Sequence, residues 1–330
     1  MHSISIIICC YNSASRLTRV LDAIAAQKNC ASKSWEVLLI NNNSNDNTRE
    51  LASSIFAKPA FSQFSSRVID EPKPGLSAAR EKGFKESKYN YILFCDDDNI
   101  MDENFLANAF QLIQQFPEVD IFGAWCKGEF EISPPTWSKE MLSALAVGRP
   151  AANSGFMQNP VNGACMLVKK NSYMNLKDKD FQFLLTDRNG DVLTSGGDTE
   201  LCYAIFLLGG KIYFSDKLFF THLIPAVRLQ KKYFTKLFMV PAMQDYIGMI
   251  YQWVLKHDQT SFGRFYPFLL LNYAKTLAFC LKRIVVTGNV FYYTLLFKQR
   301  FSFLMYSLLH SQKIKINFYK IAMLHKKLKN

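Results

Sequence analysis

The sequence predicts an α/β fold, a mostly parallel sheet flanked by helices, with a basic helical region at the C-terminal end. Two observations predict the sheet. Short, near-continuous apolar runs rich in β-branched residues recur along the first part of the chain, as strands covered on both faces require. Each is followed by a stretch with apolar residues at helical spacing, and that alternation is the pattern of parallel strands joined by crossover helices. A third observation divides the chain. Of its 39 Lys and Arg, 13 lie from Lys256 onward against a single acid, Asp258, so the net charge of +12 belongs to the C-terminal segment.

The elements follow in order. "SISIIICC", Ser3 to Cys10, reads as the first strand, and Leu17, Val20, Leu21 and Ile24 mark the helix after it. "WEVLLIN", Trp35 to Asn41, is the second strand; a polar loop, "NNNSNDNT", and a helix through Leu51 and Ile55 come next. "RVID", Arg67 to Asp70, is the third strand and "PGLSAAREKGF" opens its helix. "YILFC" is the fourth, with "DENFLANAFQLIQQF" as the helix behind it. Past Phe116 the rhythm is less regular. "VDIFGAWCKGEFE" reads as a strand, "PPTWSKEMLSALAVG" as a loop and short surface helix, and "NGACMLVKK", Asn162 to Lys170, as another strand. "TSGGDTELCYAIFLLGGKIYF" then supplies a glycine turn, a helix from about Asp198 to Leu208, a Gly-Gly stop and a strand.

Composition narrows the class. Hydrophobic residues make up 49% of the chain and no low-complexity tract occurs, which excludes a disordered protein. The eight cysteines lack CxxC spacing, so no zinc site is expected, and a reducing, cytoplasmic location fits them. "MHSISIIICCYN" has no Lys or Arg before its apolar run and reads as a strand, not a signal peptide.

Ligands of such sheets bind outside the carboxyl ends of the strands. The polar clusters after Cys10, Ile40, Asp70 and Cys95 all fall at that edge. "YILFCDDDNIM" is the most demanding of them, because three adjacent carboxylates repel unless water or a cation sits against them. On an extended strand end Asp96 and Asp98 would project to one side and Asp97 to the other. Two carboxylates on one side suit Mg2+ or Mn2+ bridging a substrate phosphate. The bland reading is a solvated turn, although Asp102 can already cap the next helix.

Six stretches occur in a telling order: "SIIICCYNSASRL", "LLINNNSNDNT", "EPKPGLSAAREKG", "ILFCDDDN", "NGACMLV" and "GGDTELCYAIFLLGGKIYF". Together, over Ser3 to Arg228, the chain resembles a family-2 glycosyltransferase with the GT-A nucleotide-sugar fold. The resemblance implies that Asp98 is the direct metal ligand, with Asp96 as its partner and His222 in "FFTHLIP" as a further ligand. The remaining carboxylate would meet the ribose or act through water; Asp96 and Asp97 are both placed at the donor, with the role of Asp97 left open. In "GGDTEL", Asp198 matches the catalytic base, with the family's preceding acid replaced by Gly197 and with Glu200 as the fallback base. As a helix cap Asp198 would need no further role. Cys10, Tyr11 and Asn12 are placed at the donor, Tyr11 to stack on the base. Asn41 stands where the family commonly has a base-reading aspartate, which leaves UDP, GDP and dTDP open. Arg80, near a helix N-terminus at the same edge, and Arg228 are candidate phosphate ligands, or else ordinary surface arginines.

The implied domain is 1–228, with a donor-binding half at about 1–116 and an acceptor and catalytic half at about 117–228. Residues 229–330 form the basic, aromatic-rich helical region. Lys275 interrupts its best apolar run, so a spanning helix is not expected. Amphipathic helices on an anionic membrane surface fit it, as does a helical subdomain packed on the rest. No nucleic-acid recognition motif accompanies the charge. The expected activity is inverting, metal-assisted transfer of a sugar from a nucleotide-sugar donor to a saccharide or lipid-linked saccharide, in surface-polysaccharide or glycolipid assembly. Such an enzyme would be cytoplasmic and peripheral on the inner face of the cell membrane. The rivals are a metal-dependent nucleotidyltransferase that makes a nucleotide sugar, and a non-catalytic sugar-binding relative.

Overall fold

Strand β1, Ser3–Cys10, is the axis of the computed structural model, which describes residues 2–185, 187, 196–239, 243–257, 261–286 and 289–329. The helix α1 that follows, Ala14–Ala25, buries Leu17, Val20, Leu21 and Ile24, the stripe expected of it. β2 (Ser34–Asn41), α2 (Thr48–Phe56), β3 (Ser65–Asp70), α3 (Leu76–Glu86) and β4 (Tyr91–Asp96) complete the regular half. β1 pairs in parallel with β2 and β4, and β2 with β3. Because side chains alternate across a strand, β1 sends Ile4, Ile6 and Ile8 into the core under α1 and α2. Ile7 goes to the opposite core with Ala79 and Phe84 of α3. There α3 lies so close that a Cβ on Gly83 would stand 2.4 Å from Ile7 Cγ2.

Beyond β4 come β5 (Asn99–Met101), α4 (Phe105–Gln115), β6 (Val119–Phe130), β7 (Gly155–Phe156), β8 (Leu167–Lys169), α5 (Lys170–Asp178), α6 (Gly197–Leu207) and β9 (Lys211–Ile224). The sheet order is β3-β2-β1-β4-β8-β6-β9-β5, with β7 also on β9. β8 runs antiparallel to both β4 and β6, and β5 and β7 run antiparallel to β9. The sheet is therefore parallel in its N-terminal half and mixed beyond it.

Three details depart from the sequence reading. β4 ends at Asp96, and Asp97 and Asp98 form the turn into β5, so strand alternation does not govern the triple aspartate. "NGACMLVKK" is a strand only at Leu167–Lys169; Cys165 takes a left-handed backbone (φ 51°) that breaks the pleat before it. The 3-10 helix Thr136–Leu145 is not a surface ornament, since it buries Ser138, Met141 and Leu145. The Thr194–Ser195 part of the expected glycine turn lies outside the described residues.

The C-terminal region consists of α7 (Lys231–Phe238), α8 (Met243–His257), α9 (Phe262–Val286), α10 (Val290–Leu309) and α11 (Ser311–Lys329). It packs on the sheet domain along two apolar seams. Tyr246, Ile250 and Tyr251 of α8 meet Tyr203 and Leu207 of α6, with Phe265 and Phe318 behind them. Leu295 of α10 and Phe234 of α7 meet Met141, Leu145 and Ile224. Among the described residues no helix is long and apolar enough to cross a membrane.

Candidate active site

A cleft of about 620 Å³ opens at the carboxyl edge of the parallel strands. Tyr11, the Asp96–Asp98 turn, Gly163, Asp198, His222 and Arg228 all line it. Strand pairing explains how distant residues meet there. β5 opposes β9 with Asn99 across from His222, and Leu223 N–H donates to the Asp98 carbonyl at 2.9 Å. One register thus sets Asp98 beside His222.

The three aspartates face different partners. Asp98 Oδ2 lies 3.3 Å from His222 Nε2 and 3.0 Å from Arg228 Nη1. Asp97 accepts from Ser13 Oγ and, at 2.5 Å, from Arg16 Nη2. Asp96 accepts from Asn99 Nδ2 at 3.4 Å, and its charge acts on Arg80. The turn replaces the extended strand on which the expected pairing of Asp96 with Asp98 relied, and among the described residues Asp96, Asp98 and His222 do not form a ready group of three. Burial alone would raise the Asp98 carboxyl, but His222 when its ring carries a second proton, together with the Arg228 guanidinium, outweighs burial and holds it well below the usual carboxylate range. Asp97 is displaced upward, first by burial and then by the charge of Asp98, against the pull of Arg16 and Ser13.

His222 is oriented from behind. Its Nδ1 lies 3.0 Å from the Leu145 carbonyl, a contact that requires an N–H on Nδ1. Arg228 Nη1 approaches Nε2 at 2.9 Å, and a guanidinium nitrogen only donates. The Nε2 lone pair therefore faces Arg228 and Asp98. This is the orientation of a metal-ligating imidazole held by a backbone carbonyl. Cis ligands of an octahedral ion with bonds of about 2.1 Å lie about 3 Å apart, close to the 3.3 Å between Oδ2 and Nε2. Among the described residues no group of three His, Cys, Asp or Glu forms a ready cluster. The pair fits a hard cation whose remaining ligands are water and phosphate oxygens.

The opposite wall carries Asp198 in the first turn of α6. Gly163 N–H donates to its Oδ2 at 2.7 Å and Thr199 N–H to its Oδ1 at 2.8 Å. A Cβ on Gly163 would stand 2.6 Å from Asp198 Cβ, so the glycine is what lets the carboxylate sit there. Asp198 therefore belongs to the helix terminus and to the cleft at once. Asp187 locks the same corner: it accepts from Gly197 N–H at 2.9 Å and from Arg80 Nη1 at 3.1 Å.

Several expected residues are placed otherwise. Glu200 does not reach the cleft; it is 1% exposed and accepts from Leu184 N–H, Leu185 N–H and Tyr251 Oη. Two residues on from Asp198, it must point to the other side of α6, which rules it out as fallback base. Burial pushes its carboxyl up to about 7 in spite of those three donors. Arg80 lines the cleft, but its guanidinium is engaged by Asp187 and lies over the Phe94 ring, so it is not poised on an anion. Asn41 is buried behind the wall and donates to Asp70. Asn12 shapes the loop, with φ at 50° and its Oδ1 accepting from Asn45 N–H. Cys10 is buried at the cleft floor, where burial raises its thiol well above the ordinary range. Tyr11 is half exposed at the rim.

Sequence reasoning passed over Arg16, Gly163 and Asp187. Arg16 was legible as a cation one turn past the end of β1. Asp187 sits in a loop with no periodicity, and nothing in the sequence marked it.

A carboxylate able to take a proton thus faces, across one cleft, groups able to hold a phosphate-bridging cation. Comparison with known proteins supplies the family and the fold. The family described as "Glycosyl transferase family 2" matches residues 5–175. The cholesterol galactosyltransferase of Borreliella burgdorferi is 31% identical over 106 residues, which cover 32% of this chain and 27% of that protein. The poly-beta-1,6-N-acetyl-D-glucosamine synthase of Staphylococcus aureus is 22% identical over 192 residues, 57% of this chain and 44% of that one. The chain thus spans less than half the length of these curated relatives. S. aureus TarS 1-349 in complex with UDP-GlcNAc superposes with a TM-score of 0.52 at 14% identity, covering 100% of this chain and 92% of that one. At that identity the likeness concerns the fold, and it is the GT-A-type α/β fold that the motif order implied.

Proposed function

The chain belongs to glycosyl transferase family 2, and from that premise we propose that it moves a sugar from a nucleotide-sugar donor to an acceptor hydroxyl by single displacement with inversion. One observation carries the reading: the Asp198 carboxylate faces the same cleft as the Asp96–Asp98 turn, His222 and Arg228. Asp198 takes the proton of the acceptor hydroxyl as its oxygen bonds to the anomeric carbon. The bond from that carbon to phosphate oxygen breaks, and the nucleoside diphosphate leaves with the electron pair. Two N–H donors hold Asp198, so its aim costs no reorganisation at the moment of attack. Asp98 and His222 would hold Mg2+ or Mn2+, and such an ion supplies Lewis-acid stabilisation of the leaving diphosphate. Arg228 adds a cation on the same wall, and Tyr11 offers a ring to the nucleobase.

The acceptor we propose is a saccharide or a lipid-linked saccharide, in keeping with relatives that build a polysaccharide or glycosylate a sterol. α9 supports a place at the inner face of the cell membrane. Phe268, Leu271, Phe279 and Val285 stay exposed along one stripe of it, with Lys275 and Lys282 between them. That pattern suits the headgroup region of an anionic bilayer.

A thermal-shift screen of UDP-, GDP- and dTDP-sugars with Mn2+ tests the donor, since a true donor stabilises the native state by mass action. In the same assay Asp198→Asn keeps the donor shift, while turnover falls by about 10² to 10⁴. Turnover near that of the unaltered enzyme would remove Asp198 as the base.

A further inference from the structure

We infer that Arg228 holds, before the donor binds, the position between Asp98 and His222 that the divalent cation takes, so that guanidinium and cation exclude one another. The inference rests on the metal reading above and adds an order of events to it. Its basis is a triangle of three side chains. Nη1 stands 3.0 Å from Asp98 Oδ2 and 2.9 Å from His222 Nε2, while those two acceptors are 3.3 Å apart. The two hydrogens of Nη1 serve the two lone pairs that a cation would need. On the side of the pair that Nη1 occupies, a metal ion bonded to both atoms at about 2.1 Å would lie only about 1 Å from that nitrogen, so there the two exclude one another sterically as well as by charge.

Charge gives the exchange its direction. With Arg228 in place the Asp98 carboxylate is already neutralised, and a cation arriving alone must displace a fixed partner. A diphosphate changes the balance, because it brings anionic oxygens for both the cation and the freed guanidinium. Arg228 lies in the 3-10 turn Ala226–Leu229 just past β9, and its side chain is 20% exposed, so it has a solvent side toward which to swing. Cation and nucleotide therefore bind together far better than either binds alone, and by linkage each strengthens the other equally.

Mn2+ alone is the probe, titrated into the full chain and followed by loss of the free-ion EPR signal, which reads binding and not turnover. Arg228→Gln should bind Mn2+ at least tenfold more tightly than the unaltered protein, and Arg228→Ala likewise. Arg228→Lys, which keeps a cation, should stay weak. Adding UDP, GDP or dTDP should tighten Mn2+ binding in the unaltered protein more than in Arg228→Gln. Equal or weaker Mn2+ binding in both neutral variants overturns the exchange, and the metal site itself still stands when Asp98→Asn leaves the free-ion signal at full strength. Loss of all binding in every variant, with nucleotide present, removes the metal reading and this inference with it.

Discussion

Replacing Glu200 by Gln tests how the helix that carries Asp198 is anchored. Glu200 is 1% exposed, and its Oε2 accepts from Leu184 and Leu185 N–H at 3.0 and 2.8 Å while Oε1 accepts from Tyr251 Oη at 3.1 Å. Burial raises its carboxyl from 4.5 to about 7. The folded state therefore holds this proton more tightly than the unfolded chain. The stability that follows is fully present below pH 4.5 and is lost as pH rises through about 7. That displacement corresponds to about 3 kcal/mol. Gln imitates the protonated acid at every pH: its carbonyl can accept from both N–H groups, and its amide can donate to Tyr251 Oη. Urea denaturation of both proteins from about pH 5 to about pH 8 gives the test. The unaltered protein should lose about 3 kcal/mol relative to Glu200→Gln over that range. Glu200→Ala should be less stable at both ends by about 3–6 kcal/mol, since it leaves three buried donors unpaired. A difference between the Glu and Gln proteins that does not move with pH would refute the reasoning, because it would mean an ordinary, hydrated carboxylate.

Three further outcomes are expected. Gly163→Ala puts a methyl 2.6 Å from Asp198 Cβ; kcat should fall about 10²-fold with the donor-induced thermal shift intact, and an unchanged kcat would show that the carboxylate is not the base. Asp187→Asn strips the partly buried Arg80 of its ion-pair partner. It should lower the urea-derived stability by about 3 kcal/mol, at the low end for a buried pair because Asp96 and Asp198 still face the guanidinium; a loss below about 0.5 kcal/mol would mean that the pair contributes no more than a surface one. Lys275→Ala combined with Lys282→Ala should weaken sedimentation with anionic vesicles about 30-fold, at about 1 kcal/mol per lysine; retention that ignores both the variant and added salt would exclude a membrane-facing α9.

The strands were legible because their apolar runs are long relative to anything else that could bury them. Ile4, Ile6, Ile7 and Ile8 leave β1 no soluble alternative. The triple aspartate announced itself by its own repulsion, and the structure does place it in a cleft. Its internal geometry was not legible, since alternation holds only while the strand lasts and β4 stops at Asp96. Glu200 was misread although the means to place it were available: α6 cannot show both Asp198 and Glu200 to one cleft. Asp187 and Gly163 were beyond reach, because each acts through a contact made across a gap in sequence of 10 or 35 residues. Such pairs carry no periodic signal.

The apolar seam between α6 and α8 bears on how such chains can be recombined. Tyr203 and Leu207 on one side and Tyr246 and Tyr251 on the other form a matched surface, and Tyr251 also reaches Glu200. A chimera that takes its C-terminal helices from a relative would inherit the wrong half of that match, two residues from Asp198. The exchangeable unit therefore starts at Gly197 or earlier, and variation in the C-terminal helices is tied to the helix that carries Asp198.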